Sequence, residues 1–94
     1  MDYYCLIQVR LEGRDIPVDV GYSQGTSVQA VLERACKTLN IYDSWNHALY
    51  SELFKTWLCE SHLLSSYPAE DTLIVRKKTP EYLELVYNEE NPKK

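Results

Sequence analysis

The sequence predicts an α+β fold in which one main helix packs on a mixed sheet of about five strands. Three observations predict it. Thr26–Leu39, TSVQAVLERACKTL, is a long stretch with helical periodicity, since Val28, Val31, Leu32, Ala35 and Leu39 fall on one face. Two alternating runs precede it, and several short strand-like runs follow it. A single amphipathic helix must bury its apolar stripe, and a curled sheet is the available partner.

Taken in order, residues 3–12 alternate Cys5, Ile7, Val9 and Leu11 against Leu6, Gln8, Arg10 and Glu12, a strand with one wet face. Gly13, Arg14 and Asp15 make a turn, and Ile16, Val18, Val20 and Tyr22 alternate on a second strand that completes a hairpin. Pro17 donates no ladder hydrogen bond, which marks this strand as an edge or the start of one. Thr26 with Gln29 three residues on reads as a capping box, and Asn40 as the helix C-cap. Residues 41–46 are a loop, HALYS at 47–51 and KTWL at 55–58 are short strands, and HLLSSY at 62–67 is one helical turn stopped by Pro68. A further strand, DTLIVRKK, spans 71–78 and ends in a basic cluster.

The resulting order, β-β-α-β-β-(short helix)-β, is that of the ubiquitin-like β-grasp. One element is left over. YLELVY at 82–87 reads as an extra C-terminal strand followed by the polar tail NEENPKK. The expected organisation is therefore a ubiquitin-like domain over residues 1–79, with residues 80–94 an added strand or the start of a following module.

Composition limits the function classes. A net charge of −4 with mixed signs argues against nucleic acid, which needs a basic surface to displace phosphate counterions. Cys5, Cys36 and Cys59 are odd in number and have no CxxC spacing, so reduced thiols and a cytoplasmic setting are expected, with Cys5 and Cys36 as small core residues. No metal site, cofactor or catalytic centre is expected. His47 and His62 lack a third ligand at metal spacing, no glycine-rich phosphate loop exists, and no serine sits in a nucleophile elbow. Trp57 is expected in the core beneath the short helix. Trp45, in the polar stretch DSWNH, reads either as a contact residue or as a cover over the helix end.

Two sets of residues carry a family resemblance. His47-Ala48-Leu49, Lys55-Thr56-Trp57-Leu58, His62, Thr79-Pro80 and Leu83-Glu84-Leu85 together resemble the extra N-terminal ubiquitin-like lobe of kindlins. Asp71-Thr72 and Arg76-Lys77-Lys78 are closer to the corresponding lobe of talin, and the whole pattern over roughly residues 3–87 is more distantly similar to Ras-association domains. The resemblance implies a non-catalytic adaptor module of a cytoskeletal, adhesion or signalling protein. It implies that an active Ras- or Rap-type small GTPase pairs its effector strand with the second strand of the β-grasp. Arg10 and Arg14 on the hairpin, with Arg34 and Lys37 on the helix, would then meet the acidic switch region. Asp15 and Asp19 near that edge depart from the pattern.

Arg76, Lys77 and Lys78 are the candidate contact for anionic lipid or a partner at a membrane surface, although such patches usually hold about four to eight basic residues. Solvated surface charge accounts equally well for Arg10, Arg14, Arg34 and Lys37, and for Arg76, Lys77 and Lys78 a solvated strand end is the better reading. The resemblance also leaves open a structural lobe that packs on neighbouring FERM lobes, and a hetero-oligomerisation module using an edge strand, neither binding a GTPase.

Overall fold

A computed structural model describes residues 5–68 and 72–90 of the chain. Tyr3 and Tyr4 of the first expected strand, Asp71 of the last, and residues 91–94 of the tail lie outside the described residues. The elements are β1 (Cys5–Leu11), β2 (Val18–Tyr22), α1 (Val28–Thr38), β3 (His47–Ser51), β4 (Thr56–Trp57), β5 (Thr72–Lys77) and α2 (Pro80–Glu90), with 3-10 turns at Ser44–Asn46 and Leu64–Ser66. The sheet order is β2-β1-β5-β3-β4, with β1 and β5 parallel and the other neighbours antiparallel. This is a ubiquitin-like β-grasp.

The hairpin forms as its alternation dictates, with Ile7 opposite Val20 and Cys5 opposite Tyr22. Gly13, at φ 89°, takes the left-handed turn conformation that a side chain would disfavour. Pro17 delays the second strand to Val18, so Ile16 is outside the ladder and 81% exposed. Cys5, expected in the core, is exposed because it opens the strand at the sheet margin.

Helix α1 buries Val28, Val31, Leu32, Ala35 and Cys36 against Ile7, Val9, Val20, Tyr22, Leu49, Leu73 and Val75, with Leu58 and Leu64 closing the core. Its cap is one residue later than expected. The Ser27 hydroxyl accepts from Ala30 N at 3.1 Å, whereas the buried Thr26 uses its hydroxyl to accept from Ser23 N at 2.9 Å. Asn40 stands at φ 60° just past the helix, where Ile41 N bonds Cys36 O and Asn40 N bonds Lys37 O. These two bonds form a Schellman stop, and Ile41 packs back on the core.

The expected C-terminal strand is a helix. Thr79 caps α2 by accepting from Tyr82 N at 3.2 Å, Pro80 occupies the first helical position, and Glu81 lies in the first turn. Tyr82 and Val86, one turn apart, pack with Ala48, Tyr50 and Trp57 in a second cluster on the sheet face away from α1. Trp57 therefore lies beneath α2 and not beneath the short turn. Strand alternation sends Trp57 to the outer face and its neighbour Leu58 to the main core. Trp57 meets Tyr50 and Tyr82 edge to face, at centroid separations of 5.4 and 5.0 Å. The Arg76 guanidinium stacks 4.5 Å from the Tyr50 centroid and 4.9 Å from that of Trp57.

Candidate functional site

Sheet order leaves two edges, β2 and β4, and the candidate basic residues distribute unevenly about them. On β1, Arg10 shares the outer face with Leu6 and Gln8, opposite the face that carries α1. Its guanidinium donates to Arg14 O at 3.3 Å and pairs with Glu52 at 3.6 Å. Arg14 is exposed in the turn, which closes through Arg14 N to Leu11 O at 2.9 Å.

Arg34 and Lys37 lie one turn apart on the exposed face of α1. The Arg34 guanidinium reaches across to β2 and donates to Gly21 O at 2.8 Å. Arg34 thus stands at the edge strand on the α1 side, and Lys37 follows it toward the helix C-terminus, where the dipole favours a cation. Asp19 is exposed on β2 but has the opposite parity to the inward Val20, so it faces the Arg10 side of the sheet. Positive charge on α1 and negative charge on β2 are therefore separated by the sheet. The four basic residues form two groups on two faces and do not form one patch.

The 76–78 cluster also diverges. Arg76 is held over Tyr50 and Trp57 on the outer face, with Nε 2.9 Å from Glu12 Oε2 but not aligned for a hydrogen bond. Lys77 points the other way, beside the buried His47 and Asp43. Lys78 Nζ lies 3.4 Å from Glu60 and 5.7 Å from the Tyr82 ring centroid. The Asp43 carboxyl is held below its ordinary range, chiefly by the Asn46 side-chain amide and further by His47 and Lys77. Asp43 O accepts at 3.0 Å if His47 Nδ1 carries the proton.

His62 and Cys59 do not combine into a reactive pair. His62 Nδ1 lies 2.9 Å from Tyr67 Oη, and Cys59 Sγ lies 3.2 Å from Ser61 Oγ. Among the described residues no three His, Cys, Asp or Glu side chains gather as metal ligands. Trp45, which the sequence leaves open, is 69% exposed, and Tyr42 on the same 41–46 loop is 89% exposed.

A cleft of about 200 Å³ was not anticipated, because it depends on α2 being a helix. It is bounded by Trp57, Cys59, His62 and Tyr67 on one side and Tyr82 and Leu85 on the other. The helix-start signals Thr79, Pro80 and Glu81 could have revealed it.

No family model matches the chain, and no curated protein matches it. Among solved structures, one described as the ubiquitin of Caldiarchaeum subterraneum is similar at a TM-score of 0.66 and 15% identity. The match covers 82% of this chain and 96% of that one. This likeness shows the fold.

Proposed function

We propose that the domain is a non-catalytic protein-interaction module that takes the effector strand of an active Ras- or Rap-type GTPase along β2. The observation that carries this reading is the placement of Arg34, which reaches from α1 to the main chain of the edge strand at Gly21. An extended segment added to β2 gains main-chain hydrogen bonds from the edge, with Gly21 O released when Arg34 turns from it to the partner. Arg34 and Lys37, with Arg14 at the far end of the hairpin, supply positive charge to an acidic partner surface. Asp19 lies on the opposite face and opposes this less than its position in the sequence suggests. The setting is a cytoplasmic adaptor recruited to the membrane or cytoskeleton by that partner.

Titration of the protein with Ras- and Rap-family GTPases, loaded with a GTP analogue or GDP, tests this. Nucleotide-dependent binding that weakens at least tenfold in Arg34→Glu and in Arg14→Glu supports it. Binding that ignores the nucleotide, or both charge reversals, overturns it. The exposed Tyr42 and Trp45 favour a second reading, a structural lobe that packs on neighbouring FERM-type lobes through the 41–46 loop. That reading expects no GTPase binding, and it expects Trp45 to become protected in a longer parent chain.

A further inference from the structure

The β4 edge carries a feature that the β2 reading does not use. Leu58 N donates to Leu49 O at 2.9 Å, while the register pairs Tyr50 with Trp57. Opposed residues in an antiparallel pair alternate between bonded and non-bonded positions. Leu49 and Leu58 are bonded, so Tyr50 and Trp57 are not, and the main-chain N–H and C=O of Trp57 point away from β3. One alternation further on, Cys59 N is taken by Tyr67 Oη at 3.3 Å. The open part of this edge is thus centred on Trp57.

A strand residue that paired with Trp57 would carry its side chain on the same face of the sheet as the Trp57 ring. That face holds the cleft between β4 and α2. At about 200 Å³ it is below the roughly 300–1,000 Å³ of small-molecule sites, and its size suits one side chain. Its apolar walls are the Trp57 ring, Val86 and the 45% exposed Leu85, with polar groups of Thr56, His62 and Tyr67 beside them. Glu81 lies one helical turn before Leu85 on the same side of α2, whereas Glu84 faces away from Tyr82 and Val86. Glu81 is exposed and gives the α2 wall of the cleft an acidic border.

We propose that the β4 edge and this cleft form a second docking site, for an extended basic segment of a partner protein. One aliphatic or aromatic side chain of that segment enters the cleft, its main chain pairs with Trp57, and a lysine or arginine two residues away on the same face meets Glu81. The site stands independently of the GTPase reading, because β2 and β4 are opposite edges of the sheet.

The test is a titration of the ¹⁵N-labelled 94-residue chain with acetylated, amidated pentapeptides, whose end residues share a strand face with the central one and whose second and fourth residues are threonine or valine. The central residue is leucine, phenylalanine or alanine, and both end residues are lysine or both are glutamate. The expected result is shift changes centred on the Trp57 amide, its indole N–H and Leu85. Affinity falls at least tenfold when the central residue is alanine, and several-fold when the ends are glutamate. Leu85→Lys, at an exposed position, abolishes binding, and Leu83→Lys on the other side of α2 leaves it unchanged. The proposal is overturned if no peptide moves the Trp57 amide at millimolar concentration, or if binding ignores the central residue, the end charges or Leu85→Lys. It is also overturned if the same shifts appear without peptide as protein concentration rises, since that assigns the cleft to a second copy of the chain.

Discussion

Trp57 of β4 and Tyr82 of α2 meet at a ring-centroid separation of 5.0 Å and an interplanar angle of 61°, and both rings are almost wholly buried. Tyr82 is the fully buried anchor of α2 among its described side chains. Tyr82→Ala removes a buried aromatic and its edge-to-face partner, and should cost about 3 kcal/mol. Tyr82→Phe keeps the ring and should cost less than about 1.5 kcal/mol. Urea unfolding of the two variants against the parent measures both. Equal stability of parent and Tyr82→Ala would mean that α2 is not seated on the sheet.

The N-terminus of α1 gives a sharper contrast between adjacent hydroxyls. Ser27 caps the helix, and Thr26 is a buried turn residue. Ser27→Ala should cost about 1 kcal/mol, and Ser27→Asp should fall within about 0.5 kcal/mol of the parent, because a carboxylate suits the helix N-terminus. Thr26→Asp should cost at least about 2 kcal/mol, because it places a charge where a hydroxyl is buried. Thermal unfolding of the three variants distinguishes the two positions, and a tolerated Thr26→Asp would reverse the assignment.

These two regions also mark what the sequence can and cannot convey. Val28, Val31, Leu32 and Ala35 announce both helix and core face because a period of 3.6 separates them cleanly from a strand. The cap slips by one residue because Thr26 and Ser27 are both good caps, and the choice depends on which hydroxyl the Ser23 turn captures. YLELVY reads as a strand because Tyr82, Leu83, Leu85 and Val86 are compatible with either period. Trp57 decides it, by offering an aromatic seat that Tyr82 and Val86 reach together only from one helical face. The basic candidates were named from their positions in the chain. Their division between two faces follows from parity in β1 and from the reach of Arg34, and only the latter is invisible in one dimension.

Cys36 should behave as an inert thiol. Burial, reinforced by Asp43 and Glu33, pushes it up from 9.0 to about 11. At pH 8 its thiolate fraction is then about one in a thousand, and it is shielded as well. Iodoacetamide at pH 8 should therefore modify Cys5, which is exposed, and leave Cys36 untouched until the protein unfolds. The same shift sets a pH dependence. The folded state holds this proton more tightly than the unfolded chain does, so the contribution to stability is complete below pH 9 and is lost as pH rises through about 11. The loss amounts to about 2–3 kcal/mol at the upper limit. Cys36→Ala should flatten the decline in urea midpoint between pH 9 and 11. An unchanged slope would assign the decline to other groups.

The last prediction concerns a chain shortened after Thr79, which removes α2. The main cluster contains residues of α1, all the strands except β4, and the 58–64 segment, and none from α2. The shortened chain should therefore still fold cooperatively. It should nevertheless be weaker, because Ala48, Tyr50 and Trp57 lose Tyr82 and Val86 as cover. At about 25 cal/mol per Å² of apolar surface, and with the aromatic contact included, the loss should be about 2–4 kcal/mol. Emission should shift to the red, and the shift belongs to Trp57 because Trp45 is already exposed in the parent. Trp45→Phe in both lengths isolates that signal. Arg76, which stacks on Tyr50 and Trp57, should then carry more of the load, so Arg76→Ala should cost more in the shortened chain than in the parent. If shortening abolishes the cooperative transition, α2 is required for the fold itself, and the outer cluster and the main core form one folding unit.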